Sequence, residues 1–369
     1  MLAYNKQDLN NFFIREQVKK TASRESITTE EKTNILNAYP VRFYTPNFFI
    51  RIGLGIVALT AYWALSGLID SFIKSKDVMS YVLIAVFILL LCTLEFFIKK
   101  YRHYRSGIDD ILLYAALITF YSALGISQLN KWKHFDLLMS FVMTITGILA
   151  TLRYSDRLAT IFGFLPGLVF TGILFYKTGI LTKHALPLLI ILLSLTVYLF
   201  ARQYRKRPAF RYYFNCLWIL EITALCSLYI AGNYFAASMW WEKQLSSELS
   251  NDPWKYFFIA STALIPFWCL YTGLRKQEII QSRLSVLMIA ASICTFHYYV
   301  EVISREAEMI FYGTLLIMIA YFLIRQLKKG IPGFTYNSME DSAGMIELEE
   351  LFIGGTFSAK GKSQSNEIK

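Results

Sequence analysis

Charge is what this 369-residue sequence has least of. Asp, Glu, Lys and Arg make up only 17% of it, while 55% is hydrophobic and the mean hydropathy is +0.42. An ordinary soluble domain carries about 25% charged residues, so the shortage excludes a soluble enzyme and a disordered chain. Paired cysteine patterns are missing too. The five cysteines, Cys92, Cys216, Cys226, Cys269 and Cys294, all fall inside long apolar blocks. No CxxC or Cys/His ligand spacing is present, which argues against a disulfide scaffold and a zinc site. Nothing alternates apolar and polar over strand lengths, which excludes a transmembrane β-barrel. HExxH, GxSxG and the Gly-rich dinucleotide fingerprint are absent. The stretch Gly355–Ser363, GTFSAKGKS, is one residue too long for a phosphate-binding loop and has no strand before it. The sequence therefore predicts no enzyme, no cofactor and no metal centre.

What the chain does have is apolar length. A helix rising about 1.5 Å per residue needs roughly 20 apolar residues to cross a hydrocarbon core of about 30 Å. Such segments lie near 52–73, 80–98, 108–126, 135–152, 158–176, 185–201, 212–234, 256–274, 279–299 and 307–325. Lipid leaves backbone polar groups no partner outside the segment, so these are expected to be helices. The predicted fold class is an all-α, polytopic transmembrane bundle of about ten spans. Its divisions are 1–47, a helical hairpin and linker; 48–329, the membrane domain; and 330–369, a tail.

The basic residues orient the bundle. With the N-terminus inside, the inner turns hold Lys99, Lys100, Arg102, Arg105, Arg153, Arg157, Arg202, Arg205, Lys206, Arg207, Arg211, Arg275 and Lys276. The outer turns hold Lys74, Lys76, Lys131, Lys133, Lys177, Lys183, Lys243, Lys255 and Arg305. The ratio is 13 to 9, and eight more basic residues through Arg51 and three at Arg325, Lys328 and Lys329 add to the inside. The positive-inside rule then predicts both termini in the cytoplasm, with the protein in a bacterial inner membrane. The net charge of +11 is mostly this orientation signal. The basic residues flank spans instead of forming a stripe, so no nucleic-acid partner is expected. The polar first 47 residues are read as lacking a signal peptide. Trp132, Trp240, Trp241 and Trp254 fall in or beside outer turns, as interfacial anchors do.

Residues 6–20 read as a short helix with Leu9, Phe12, Phe13 and Val18 apolar, broken by the run Thr21–Ser26. A second helix is predicted to start at Thr28, where Thr28 and Glu31 form a T-x-x-E capping box, and to end before Pro40. Two such helices cannot bury a core of their own. They must dock on the membrane domain, on a protein partner or on the lipid surface. The order of a short helix, then Glu25–Glu31, then Ile35–Pro40, then several spans, resembles a bacterial family of uncharacterised predicted membrane proteins. That family joins an N-terminal helical hairpin to a multi-spanning bundle. The resemblance covers residues 9 to 75; it implies architecture and no catalytic residue. At the other end, 339–353 reads as an acidic amphipathic helix with Met345, Leu348, Leu351 and Phe352 on its apolar edge, followed by a polar, disordered end.

Ionisable residues inside spans cost energy and are candidates for function. Glu221 stands about 14 Å into the seventh span. It is either a carboxylate that binds and releases a proton or cation, or a protonated Glu bonded to a neighbouring helix; its apolar neighbours Leu217, Trp218, Ala224, Leu225 and Leu228 favour the second. In the ninth span Arg283, Leu287, Ala290, Cys294, His297 and Glu301 share a narrow arc. This arc either lines a water-filled path or consists of end residues reaching the two interfaces. Asp136, Ser140, Thr144, Gly147 and Thr151 in the fourth span, and Gly163–Gly167 in the fifth, read as helix-packing faces. Glu95, Asp109 and Asp110 are expected to ion-pair with the basic residues beside them. Two functions follow. One is an interaction or regulatory membrane component engaging a protein partner through its cytoplasmic ends. The other is a small-solute or proton-coupled transporter using Glu221 and the Arg283/His297/Glu301 face.

Overall fold

The computed structural model describes residues 2–23, 28–179, 185–237, 253–275 and 278–299, with single positions between 313 and 325. Among these residues the elements are helical, and the β-pairing is a single parallel bridge between Tyr44 and His103. In order they are α1 (Lys6–Ser23), α2 (Thr29–Ala38), α3 (Phe48–Phe72), α4 (Lys76–Lys100), α5 (Ile108–Ile126), α6 (Phe135–Tyr154), α7 (Arg157–Thr178), α8 (Ala185–Arg205), α9 (Phe214–Gly232), α10 (Pro253–Arg275) and α11 (Ile279–Tyr299). Eight of them, α3 to α10, are long and apolar enough to cross a membrane, the α9 span beginning at Ala209 in the 3₁₀ turn Pro208–Tyr213. The chain is a multi-spanning integral membrane protein of the all-α class. The ninth expected span is the 21-residue helix α11. The tenth, apart from the single positions, and the acidic tail helix lie outside the described residues.

The polypeptide divides into two compact units, residues 1–174 with 201–220, and 175–200 with 221–369. In the first, α5 is the central helix. It buries Leu113, Ala115, Ala116, Leu117, Thr119, Tyr121 and Ala123. Ala115 and Ala116 meet Leu90 of α4, with Tyr62 of α3 beside them. Arg51 pairs with Asp110 at 2.6 Å, and Tyr62 Oη lies 3.0 Å from Thr119 Oγ1, so α3 and α5 run the same way. Ser80 at the start of α4 donates to the Ala123 carbonyl near the end of α5 at 3.0 Å, so α4 runs opposite.

The antiparallel pair α6 and α7 is built on small residues. A Cβ on Gly147 would lie 2.4 Å from the Gly163 nitrogen, and one on Gly167 would lie 3.3 Å from Thr144 Cγ2. The hydroxyls of Ser140, Thr144 and Thr151 donate to carbonyls four residues back, at 2.7, 2.7 and 2.8 Å. This face is satisfied within its own helix and free to pack closely, which is how small-residue faces associate where lipid removes the hydrophobic drive. The helix α7 continues through Pro166.

In the second unit α10 and α11 form another antiparallel pair. Gln281 Nε2 donates to Thr272 Oγ1 at 2.6 Å, and Ser292 Oγ to the Thr262 carbonyl at 2.8 Å. Phe258, Tyr234 and Ala237 form the core at the far end, against Leu188 and Ile191 of α8.

Candidate functional site

The N-terminal hairpin is the first feature the sequence left undirected, and the structure seats it on the membrane domain. The Thr28 capping box forms: Glu31 N donates to Thr28 Oγ1 at 3.2 Å, and Thr28 N donates to Glu31 Oε2 at 2.8 Å. Those bonds, backbone first, hold the Glu31 carboxyl below its ordinary range. Asn11 and Arg15 of α1 donate to the carbonyls of Pro40 and Tyr39, closing the hairpin. Helix α1 and the residues before it then reach three turns of the first unit. Ala3 N donates to the Arg153 carbonyl at 2.8 Å. The rings of Tyr4, Phe12 and Phe43 surround Tyr104 at centroid distances of 4.9, 5.4 and 5.0 Å. Asn10 Oδ1 accepts from Arg211 and, at 2.7 Å, from Tyr212 Oη. Leu9 is buried, whereas α2 buries no residue at all.

The turn between α4 and α5 is the tightest part of this end. Arg102 (φ 54°), Arg105 (φ 50°) and Gly107 (φ 92°) all take left-handed conformations within six residues. Only glycine adopts these without cost, so two of the three positions are strained. Gly107 has a second requirement, since a Cβ there would lie 2.3 Å from the Arg51 carbonyl oxygen. Asp109 holds the turn. Its carboxylate accepts from Arg105 N at 2.7 Å, Ser106 N at 2.8 Å and Ser106 Oγ at 2.9 Å. The chain extends to His103, whose Nδ1 lies 2.7 Å from Ser106 Oγ. With the Ser106 proton committed to Asp109, His103 Nδ1 is the donor. The linker joins in through Tyr44 N to the Arg102 carbonyl at 3.0 Å and Tyr104 N to the Tyr44 carbonyl at 3.3 Å.

These contacts refine the expected ion pairing. Glu95 pairs with Arg153 at 2.6 Å and Lys99 at 3.5 Å, and Asp110 with Arg51. Asp109, in contrast, binds backbone amides and a hydroxyl. Asp156 caps α7 by accepting from Ala159 N at 2.8 Å, and also accepts from Tyr114 Oη at 2.9 Å. Burial lowers the His103 pKa, with Asp109 opposing. Burial also raises the hydroxyls of Tyr4 and Tyr104. At Arg105 burial acts against the charge, but Tyr104, Glu16, Asp110 and Cys216 outweigh it and the guanidinium pKa rises.

Glu221 is buried at 5% exposure, eleven residues before the end of the Ala209–Gly232 span, or about 17 Å along the axis. Arg283 is exposed near the start of α11 and His297 half-buried near its end. Fourteen residues separate the two, about 21 Å at helical rise. Leu287, Ala290 and Cys294 between them are exposed, and Glu301 lies outside the described residues. The buried polar face of α11 is instead Gln281, Ser282, Ser285, Ser292 and Thr295.

That face forms a cluster missed by a search for charged groups. Helix α9 breaks at Asn233. Asn233 Nδ2 donates to Tyr229 Oη at 2.9 Å and Thr295 Oγ1 at 3.1 Å, while its Oδ1 accepts from Phe235 N at 2.9 Å. Tyr229 Oη lies 2.9 Å from Ser292 Oγ, and Tyr234 N donates to Thr262 Oγ1 at 2.8 Å. The break is thus closed by three helices, as non-helical backbone away from water requires. Its sequence signal was a Gly232–Asn233 pair at the end of an apolar run. Among the described residues no three His, Cys, Asp or Glu come together as metal ligands. The chain matches no family model, no curated protein and no solved structure.

Proposed function

We propose that this chain is a ten-span protein of a bacterial cytoplasmic membrane, with both termini inside, akin to the hairpin-bearing membrane proteins its N-terminal segment resembles. It acts as an interaction and regulatory component through its cytoplasmic end and carries no catalysis of its own. One observation supports this most: the hairpin joins α2, which has no buried residue, to α1, which with the residues before it grips the turns around Tyr104, Arg153 and Tyr212. A protein that binds α2 thereby acts on three inter-helix turns at once. Because α1 belongs to the packing, the clean test alters α2 alone. Full chain carrying Glu30→Ala, Lys32→Ala and Asn37→Ala is compared with wild type by proximity labelling in cells. Loss of specific neighbours with unchanged membrane insertion is expected; an unchanged neighbour set would sink the reading.

A second reading, proton-coupled or small-solute transport, draws on the burial of Glu221 in mid-span. It predicts that Glu221→Gln, expressed at wild-type level, abolishes substrate-driven proton flux in proteoliposomes.

A further inference from the structure

One exposed patch of the first unit lies outside the hairpin contacts and takes no part in the proposed partner binding. It is assembled from two chain segments that the Tyr44–His103 bridge holds side by side in parallel. The linker contributes Arg42 and Tyr44, and the end of α4 contributes Lys100, Tyr101 and Arg102; all five are exposed. Phe43, between the two linker residues, turns inward onto Tyr104 and Tyr4, which directs its neighbours outward. The left-handed Arg102 (φ 54°) offers its carbonyl to Tyr44 and leaves its side chain exposed. Lys100 Nζ lies over the rings of Phe96 and Tyr101 at 5.1 and 5.8 Å.

The charge here is all of one sign. No acidic residue occurs in 40–51 or 96–105. At this end of the first unit Arg51, Lys99 and Arg153 form ion pairs, and Arg42, Lys100 and Arg102 lie outside those pairs. The apolar side chains next along the two helices are exposed as well: Phe49 and Ile50 in the first turn of α3, and Phe96 in the last turns of α4. The patch therefore grades from apolar, through tyrosine, to cationic at the end of two membrane spans. This is the gradient a phospholipid shows from acyl chain to headgroup.

We infer that the Arg42/Lys100/Arg102 platform binds the phosphate-bearing headgroup of an anionic phospholipid in the leaflet this end of the protein meets. Tyr44 and Tyr101 sit at the glycerol level, and Phe49, Ile50 and Phe96 lie along the chains. The charge complementarity and the continuity with exposed span residues commit the patch to a lipid in place of a soluble acidic partner. Cationic side chains near an anionic surface contribute about fivefold each to binding. Removing three should weaken retention on the order of 100-fold.

The test uses the full chain purified in neutral detergent, with phosphatidylglycerol or phosphatidylcholine added. Retained lipid is read by native mass spectrometry and stability by thermal unfolding. Wild type is expected to retain phosphatidylglycerol over phosphatidylcholine and to gain several degrees, an effect that declines with salt. Arg42→Gln/Lys100→Gln/Arg102→Gln should lose that preference, while Arg42→Lys/Arg102→Lys keeps it. A distal control, Lys74→Gln/Lys76→Gln/Lys131→Gln, should keep it too. The inference is overturned if the triple variant at the platform retains the preference, or if the distal triple loses it equally. It is also overturned if inorganic phosphate or polyglutamate stabilises wild type as well as the lipid does. Should the platform variant unfold in phosphatidylcholine, the wild-type salt titration and the lysine variant still decide. A salt-independent lipid effect, or its loss in the lysine variant, counts against the platform.

Discussion

Gly147 and Gly163 bring α6 and α7 into backbone contact: a Cβ on Gly147 would lie 2.4 Å from the Gly163 nitrogen and 2.5 Å from its Cα. Backbone atoms cannot step aside as the tip of a long side chain can. Gly147→Ala must therefore push the two helices apart, at a cost of about 1–3 kcal/mol as in other overpacked sites. Gly53→Ala, where a Cβ meets nothing within 4 Å, should be neutral or slightly stabilising through helix propensity. Thermal unfolding of the two variants in one detergent separates them, and equal effects would refute the contact.

Asp109 closes the Arg102–Gly107 turn through three accepted hydrogen bonds. Asp109→Asn keeps the shape but leaves one acceptor oxygen and no charge. Hydrogen bonds to a charged group contribute about 1.5–3 kcal/mol each. The variant should show faster amide exchange at 101–107 and, through Tyr44, at the linker 40–47. Wild-type exchange there would mean that the turn is held some other way.

His103 gives this end a pH dependence of defined sign. Its pKa is lowered in the folded protein by burial, so the unfolded chain binds the proton more readily. Stability from this site is present above the ordinary histidine pKa of about 6.5 and declines as pH falls below it. Protection factors at 101–107, which remove the intrinsic slowing of amide exchange at low pH, should fall from pH 7 to pH 5.5, and less so in His103→Gln. The hydrogen bonds that lower the Glu31 pKa act the same way at lower pH, loosening the start of α2 as Glu31 protonates.

Asn233 bonds to both α9 and α11. Asn233→Ala removes donors to Tyr229 and Thr295 and the acceptor for Phe235 N. It should destabilise the protein by about 1–3 kcal/mol, because buried partners are left unmatched. Tyr229→Phe, which removes one hydroxyl, should cost less. A double-mutant cycle on these two residues measures their coupling, and additive effects would show that they do not form one network.

Several of these elements can be read without coordinates because their causes are local. The Thr28 cap needs only Glu31 three residues on, and the helix start follows. Glycines at 147, 163 and 167 mark a packing face, though nothing in the sequence says that the two faces meet each other. Glu95 beside Lys99 reads as an ion pair, while its shorter pair with Arg153, 58 residues on, does not. Asp109 reads wrongly as one, since its partners are backbone amides made available by a turn with three left-handed residues. The Asn233 cluster escaped notice because each member is a neutral polar residue of the kind that also occurs singly in spans. The Arg283–His297 arc is real as a helical face, yet its middle is exposed while the serines and Thr295 turn inward.

The sequence by itself determined the membrane class, the helical nature of the long segments and the hairpin with its cap. Apolar run length, backbone hydrogen bonding in lipid and side-chain-to-backbone caps all act within about twenty residues. Tertiary structure alone decided that α1 and the residues before it dock on the turns at Tyr104, Arg153 and Tyr212. It also decided that Arg51 pairs with Asp110 and that the linker at Tyr44 lies against His103. These relations join residues 50 to 200 positions apart, and no local pattern encodes which of many similar surfaces will meet.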